Sequence, residues 1–524
     1  MKNNLECKCG ILAYKSINVP IKIYEFIKRL EKLQNRGRDS CGITYVDNNN
    51  NYITFKENGT IQDIFFNISH NATTKEKINN LLNTETKFII GHLRYATSGN
   101  NINNNINNDI NNNINNNINN KECIQPLSNN NNKLSIIHNG NIPNKELIKI
   151  IKKIKIKYPN FYKNNTNIPN KNTQNTNIHD SKVFFDYLDY HQTIQDKISF
   201  DNYIKNTLNL FNGSFNFIVM KDNDLYVLRD SYGYKPLCYG INSDNSILVS
   251  SESIAFTLDT NSINNFTYID NINTNSVLKL ETIENNKFTF NQLNSPTFSY
   301  DKHSYCVFEY IYFMNGISKI NNTIIVDDYR ENLGVELAKQ EKLSFISHFK
   351  KNINDIIVLG SPNTGIIGGK AYASYLNLPY KQVLIKKPNC GRTFILPDNN
   401  TRDKFFKKFI LNTEDIKNKI VIFLDDSIVR GNTIKNLCDL FKENGAKELH
   451  VRILSPELKH PCYYGINIPT HEELIMNNYT IKQVEEKCNL NSLCYLNIKS
   501  LAKIFGDSMC NACFDGNYNK NIDF

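Results

Sequence analysis

Phe423-Leu424-Asp425-Asp426-Ser427-Ile428-Val429-Arg430-Gly431-Asn432-Thr433 decides how the second half of the chain is read. The apolar run Ile420-Val421-Ile422-Phe423-Leu424 meets two adjacent acids, a loop with Gly and hydroxyl residues, and then the amphipathic stretch 433–444. A short continuous apolar run bounded by turn residues reads as a strand buried on both faces. Strand, loop and helix in that order form the unit of a parallel α/β sheet. The order occurs once before: Ile356-Ile357-Val358-Leu359 precedes the loop Ser361-Pro362-Asn363-Thr364-Gly365 and a helix expected over 370–376.

A strand end with a capped helix would use Asp and Ser only to shape the turn. Two adjacent acids straight after five apolar residues point instead to a ligand. Backbone N–H groups of the loop and the helix N-terminus can face a phosphate. Ser427 and Thr433 add hydroxyl donors, and Asp425 and Asp426 can hold ribose hydroxyls or Mg²⁺ where open α/β sheets bind their ligands.

Upstream the rhythm differs. Phe215-Asn216-Phe217-Ile218-Val219-Met220 and Leu225-Tyr226-Val227-Leu228 are short segments between turn signals, as in stacked sheets. The pattern breaks near 295–303, at Ser295-Pro296, which predicts a boundary between a domain over 9–298 and one over 299–524. Tracts near 100–120 (Asn and Ile) and 164–177 (Asn and Thr) read as low-complexity insertions, because patterned sequence resumes beyond each.

A length of 524 residues exceeds one ordinary core, and 40% hydrophobic with 21% charged residues suits a globular protein carrying polar tracts. The net charge of +10 is spread rather than gathered in one block, which argues against nucleic acid as a partner and for attraction of phosphorylated anions. With no long apolar run and no signal-like start, a cytoplasmic chain without a membrane span is expected. Its thirteen cysteines then read as thiols, metal ligands or nucleophiles.

Cys9-Gly10-Ile11-Leu12 opens the first patterned strand. A cysteine at a mature N-terminus has its own α-amino group as base, which requires removal of residues 1–8 as a propeptide. Cys7 is the rival nucleophile, and either could be a plain thiol. Asn35-Arg36-Gly37-Arg38-Asp39, Gly91-His92-Leu93-Arg94-Tyr95, His138-Asn139-Gly140-Asn141 and Asp180-Ser181 follow in order. Singly each has a plain reading: a surface ion pair for Arg94, a helix cap for Asp180, a hairpin turn for Asn139-Gly140. In ordered company they resemble the N-terminal-nucleophile glutaminase domain of class II amidotransferases. The chemistry is coherent with glutamine as substrate. Arg94 suits its carboxylate, Asp180 its ammonium group, and the Asn139 side chain with the Gly140 N–H suits an oxyanion.

Cys510-Asn511-Ala512-Cys513 sets two thiols within reach of one metal centre, and Cys306 and Cys462 are candidates to complete it. From spacing alone zinc, an iron–sulfur cluster and stray thiols stay open. The contexts Cys306-Val307-Phe308-Glu309-Tyr310, His460-Pro461-Cys462-Tyr463-Tyr464-Gly465 and Cys513-Phe514-Asp515-Gly516 resemble the cluster-bearing branch of the glutamine phosphoribosylpyrophosphate amidotransferases.

That resemblance spans Cys9 to about Asn517, outside the Asn-rich tracts. It implies an α/β/β/α glutaminase sandwich joined to a type I phosphoribosyltransferase domain with a parallel sheet. The implied reaction converts glutamine and phosphoribosyl pyrophosphate to 5-phosphoribosylamine, glutamate and pyrophosphate, the first committed step of purine synthesis. It also implies Ser427, Ile428, Val429, Arg430, Gly431, Asn432 and Thr433 around the 5-phosphate, and Thr364, Asp425 and Asp426 near Mg²⁺. A [4Fe–4S] cluster on Cys306, Cys462, Cys510 and Cys513 and a homotetramer restrained by purine nucleotides complete the expectation.

Departures from the family pattern fall at Asn35 and at Arg38-Asp39, at Met314-Asn315-Gly316-Ile317-Ser318, and at Pro388-Asn389-Cys390 in the acceptor loop. A glucosamine phosphate synthase would lack the Asp425-Asp426 loop. A non-catalytic nucleotide sensor would have no need of Cys9, Arg94, Asn139 and Asp180, although the altered acceptor loop suits it. The nucleophile reading predicts that active protein begins at Cys9. Intact mass should show loss of Met1 to Lys8, and active protein that retains them would overturn it.

Overall fold

The computed structural model describes residues 8–95, 124–162, 179–194, 198–258, 265–283, 287–294, 304–387, 409–468 and 470–524. The Asn-rich tracts, the expected boundary at 295–303 and the acceptor-loop positions 388–394 lie outside the described residues, as do Met1 to Cys7.

The first half is a sandwich of two antiparallel sheets. One runs Thr267–Asn271, Cys238–Ile241, Ile247–Ser250, Lys8–Lys15, Phe88–Tyr95, Ser40–Val46, Tyr52–Asn58 in spatial order. The other runs Lys287–Gln292, Ser276–Ile283, Asp224–Arg229, Ser214–Lys221, Leu134–Asn141, Leu127–Asn129. Strand period two explains how both sheets are buried on both faces. Ile11 and Ala13 meet Ile218 and Met220 between the sheets, whereas Leu12 and Tyr14 face the helix Ile23–Glu31. Phe215, Phe217 and Val219 point the other way, onto the helices Asn144–Lys157 and Asp180–Tyr190. Helix, sheet, sheet and helix therefore stack as four layers, as the resemblance implies.

The second half holds a four-stranded parallel sheet, ordered Ile356–Gly360, Ile420–Asp425, Glu448–Ile453, Ser492–Tyr495. Val358, Ile422 and Leu424 enter one core and Ile357, Leu359, Val421 and Phe423 the other, so the continuous apolar runs are buried on both faces. The helix expected over 370–376 begins earlier, at Thr364, and runs Thr364–Leu376. Its glycines resemble a turn in the sequence but serve a close crossing. A Cβ on Gly334 of the helix Val326–Lys339 would lie 2.1 Å from the Gly368 carbonyl oxygen. Packing overrides glycine's poor helix propensity here.

Two features join the halves. Tyr305–Cys306, at the start of the second half, pairs in parallel with Met509–Cys510 near the chain's end. The tail beyond it returns to the first half: the Asp523 N–H donates to Glu146 on the helix Asn144–Lys157 at 2.9 Å, and Lys149 pairs with Asp523. The second feature is a buried charge cluster. Arg36 donates to Glu252 at 2.7 Å and to both oxygens of Glu309 at 2.9 and 3.0 Å, and Lys235 reaches Glu309 at 3.1 Å. All four are 2% exposed or less. Burial alone would raise the Glu309 carboxyl, yet Arg36 and Lys235 hold it below its ordinary value.

Removing one partner of such a group strands a buried charge. Arg36→Met should cost about 3–5 kcal/mol in urea unfolding. A loss within the ~0.5 kcal/mol of an ordinary surface change would show that the junction does not depend on it.

Candidate active sites

Cys9 lies fully buried on the strand Lys8–Lys15, directly opposite Arg94 on Phe88–Tyr95. Its backbone N–H donates to Asn139 Oδ1 at 3.3 Å, and its carbonyl accepts from Arg36 Nε at 3.1 Å. Asn139 and Gly140 sit inside the strand Leu134–Asn141, so the hairpin alternative does not hold. With Oδ1 engaged by Cys9, Asn139 Nδ2 is a buried donor with no hydrogen-bond partner among the described residues. A buried donor left unmatched costs stability, and its place beside a thiol fits an oxygen that arrives with substrate. Gly140 has φ +153°, and a Cβ there would lie 2.1 Å from the Ser214 carbonyl oxygen, so only glycine fits.

Asp180 is the first residue of the helix Asp180–Tyr190 and is 3% exposed. It accepts from the N–H groups of Ile142 at 3.1 Å and Ser181 at 2.7 Å and faces His138 Nδ1 at 3.6 Å. Burial would raise its carboxyl, but His138 and the two N–H groups keep it below its ordinary value. Asp180 is thus a fixed negative charge. His138, which holds it, was not singled out from sequence, because a lone His on a buried strand carries no signal of its own.

The second site is a cavity of about 490 Å³ at the carboxyl end of the parallel sheet. Ser361, Thr364, Asp425, Asp426, Ser427 and Thr433 are among its lining residues, so the two loops read from sequence meet there. Asp426 accepts from the Ser427 hydroxyl at 2.7 Å and from the Thr364 hydroxyl, and the Asp426 N–H donates to Asp425 at 2.9 Å. Asp425 is pushed well above the usual carboxylate range, first by burial and then by the charge of Asp426. Two buried acids in that state fit a cation or a set of hydroxyl donors. Gly431 takes φ +80° ahead of the helix Asn432–Glu443. Ile428 and Val429 turn their side chains into the cores, which leaves only their backbone for a ligand. Arg430 pairs with Glu473 at 2.7 Å.

Among the cavity residues, Arg330 had no sequence signature. Arg330, buried on Val326–Lys339, donates to the Tyr310 carbonyl at 3.0 Å and the Met314 carbonyl at 2.7 Å, which braces the altered 314–318 segment. An arginine in an amphipathic helix reads as surface. Asn35, from the first half, also lines this cavity, and its side chain donates to Glu252 at 3.0 Å and the Phe313 carbonyl at 2.9 Å. Glu252 in turn accepts from the Asn315 N–H at 2.7 Å and the Ser318 hydroxyl at 2.8 Å. A continuous polar path therefore runs from Cys9 through Arg36 and Glu252 to the cavity wall.

Cys306, Cys462, Cys510 and Cys513 line a single small enclosed space. Burial pushes the Cys306 thiol up to about 12, and burial together with the neighbouring sulfurs holds Cys510 and Cys513 well above the ordinary thiol value. The Tyr464 N–H donates to Cys462 Sγ at 3.4 Å.

The chain matches the family models for a glutamine amidotransferase domain over residues 112–257 and a phosphoribosyl transferase domain over 330–462. It is 29% identical to the amidophosphoribosyltransferase of Bacillus subtilis, over 94% of this chain and 90% of that one. It is 29% identical to that of Methanocaldococcus jannaschii over 98% of both, and 33% identical to that of Homo sapiens over 57% of both. A solved glutamine phosphoribosylpyrophosphate amidotransferase from B. subtilis, complexed with ADP and GMP, superposes with TM-score 0.73 at 26% identity, covering 98% of this chain and 99% of that one. No helix among the described residues is long and apolar enough to cross a membrane.

The expectation that the loop 427–433 holds a phosphate has a direct test. A Cβ on Gly431 would lie 2.3 Å from Ile475 Cδ1, in a backbone conformation that costs an L-residue about 1–2 kcal/mol. Gly431→Ala should keep the fold but abolish the thermal stabilisation that a ribose 5-phosphate gives the native chain. Equal stabilisation of both proteins would place the phosphate elsewhere.

Proposed function

The chain belongs to the amidophosphoribosyltransferases, and on that premise we propose that its two sites work as one enzyme, moving ammonia from glutamine to phosphoribosyl pyrophosphate. The observation that carries the reading is the pairing of a buried thiol beside an unmatched amide donor with an acid-lined cavity, linked within one chain through Arg36. The products are 5-phosphoribosylamine, glutamate and pyrophosphate, and the step opens purine synthesis.

In the first half, residues 9–298, Cys9 attacks the glutamine amide carbon once residues 1–8 have been removed. Its freed α-amino group takes the thiol proton. The oxyanion forms against Asn139 Nδ2 and the Gly140 N–H. Arg94 pairs with the substrate carboxylate, and the fixed charge of Asp180 with its ammonium group. Ammonia leaves, and water cleaves the thioester. Ammonia released into water would be protonated and inert, so a closed route to the second site is required.

In the second half, residues 299–524, the loop 427–433 holds the 5-phosphate on backbone N–H groups and on the Ser427 and Thr433 hydroxyls. Asp425 and Asp426 orient the ribose. The donor set of two buried acids and a hydroxyl fits magnesium, and Asp425, Asp426 and Thr364 would hold Mg²⁺, which when bound offsets the charge of the departing pyrophosphate.

The four cysteines fit a [4Fe–4S] cluster. All four line one small enclosed space, which supports a single centre held by four thiolates. As the reaction moves no electrons, the cluster's part is structural. Purine nucleotides as inhibitors and a homotetramer complete the proposal, the former supported by the ADP and GMP of the B. subtilis structure.

The decisive measurement is pyrophosphate release that requires both glutamine and phosphoribosyl pyrophosphate. Cys9→Ala should abolish glutamine-dependent release while sparing release driven by high ammonia. Asp425→Asn and Asp426→Asn should each cost about 2–4 kcal/mol in the transfer step, with glutaminase activity far less affected. Transfer undiminished in both Asp variants would place the acceptor site on the wrong loop. Anaerobically purified protein should carry about four irons per chain, and stoichiometric zinc at those cysteines would refute the cluster.

A further inference from the structure

Away from both sites, the parallel sheet carries a group of side chains that the reaction does not use. Glu448 and His450 are two residues apart on the strand Glu448–Ile453, so both face the same side. The helix Leu343–Lys351 brings His348 to that side. His348 Nε2 stands 2.8 Å and His450 Nε2 3.1 Å from the same carboxylate oxygen, Glu448 Oε2. One nitrogen from each imidazole and one Glu448 oxygen all lie within 4.8 Å of one another.

We propose that His348, Glu448 and His450 form a site for a zinc-class divalent cation that fastens the helix Leu343–Lys351 to the sheet. Two imidazoles and a carboxylate are the donors of a three-ligand zinc centre, whereas magnesium and calcium take oxygen almost alone. Two ring nitrogens aimed at one oxygen need positive charge between them. Two N–H protons can supply it without a metal, and one ion replaces both. The support for the metal-bound form is already in place. Strand register sets His450 beside Ser492, with Nδ1 2.8 Å from the hydroxyl oxygen. A ring bound to metal through Nε2 carries its proton on Nδ1 and donates it to that oxygen, the outer contact that orients metal-binding histidines.

The surroundings agree. Arg452, two residues further along the same strand, is the cation that an ion here would have beside it. Arg452 is itself paired with Glu341, at 3.2 Å through its second guanidinium nitrogen, which limits its repulsion of a cation. Phe345 and Phe349 meet the His450 ring edge-on, with centroids 5.9 and 5.2 Å away, and close the inner side. The His348 side chain is 41% exposed, which opens the outer side to an entering ion and a fourth ligand such as water. The helix has one fully buried residue, Phe349, so a second fastening would count.

The test uses the full-length chain, purified anaerobically with its cysteine site loaded. Calorimetric titration with zinc chloride should show one further ion per chain. His348→Ala and Glu448→Gln should each weaken it at least about 10-fold, the low end for even a supporting group of a metal site. Zinc should raise the melting midpoint of the native chain and not of the variants. Cobalt(II) should give visible d–d bands of nitrogen and oxygen ligation without thiolate charge-transfer bands. His348→Ala alters a half-exposed side chain, so its fold is retained and its binding is readable. Zinc affinity unchanged in both variants, or a thiolate signature on the added cobalt, would overturn the proposal.

Discussion

Arg36 ties the two halves of this molecule at one buried point. Its guanidinium is buried against Glu252 and Glu309 while its Nε fixes the carbonyl of Cys9. Buried ions are costly unless every lone pair and proton finds a partner, and here the set is nearly complete. Lys235 closes the Glu309 side, and Asn315 and Ser318 close the Glu252 side. A rigid fork with donors on three separate nitrogens reaches three acceptor groups spread around it, a span that the single ammonium of a lysine does not match. The strand that carries Cys9, the short π-helix Glu309–Phe313 and the cavity wall therefore share one fixed point.

The two sites are joined by side-chain bonds. Asn315 and Ser318 donate to Glu252, Arg36 donates to Glu252, and Arg36 Nε donates to the Cys9 carbonyl. The path consists of charge-assisted bonds of about 3 Å in a low-dielectric interior, where misalignment is expensive. Asn35 extends it, since the same side chain touches Glu252 and lines the cavity.

Much of this was legible in the sequence, for reasons that differ by region. The loop 423–433 is local: strand, acids, glycine and helix cap follow one another, so spacing alone carries the geometry. Cys9, Arg94 and Asn139 come from three strands, and only their ordered motifs linked them. Their meeting is a product of register, with Cys9 opposite Arg94 and Asn139 one sheet away. That Glu252 and Glu309 share Arg36 was illegible, because they lie 216 and 273 positions from it and only the packing of the two halves brings them together. The helix start at Thr364 was misplaced for a related reason, because glycines chosen for a neighbouring backbone look like turn formers.

The parallel pairing of Tyr305–Cys306 with Met509–Cys510 makes the second half a ring rather than a string. Its first and last strands touch, and the residues after them cross back to Glu146 and Lys149. The segment 509–523 therefore carries two duties at once: it supplies Cys510 and Cys513 to the space shared by the four thiols, and it ties the second half to Glu146 and Lys149 of the first, so a single break there would undo both.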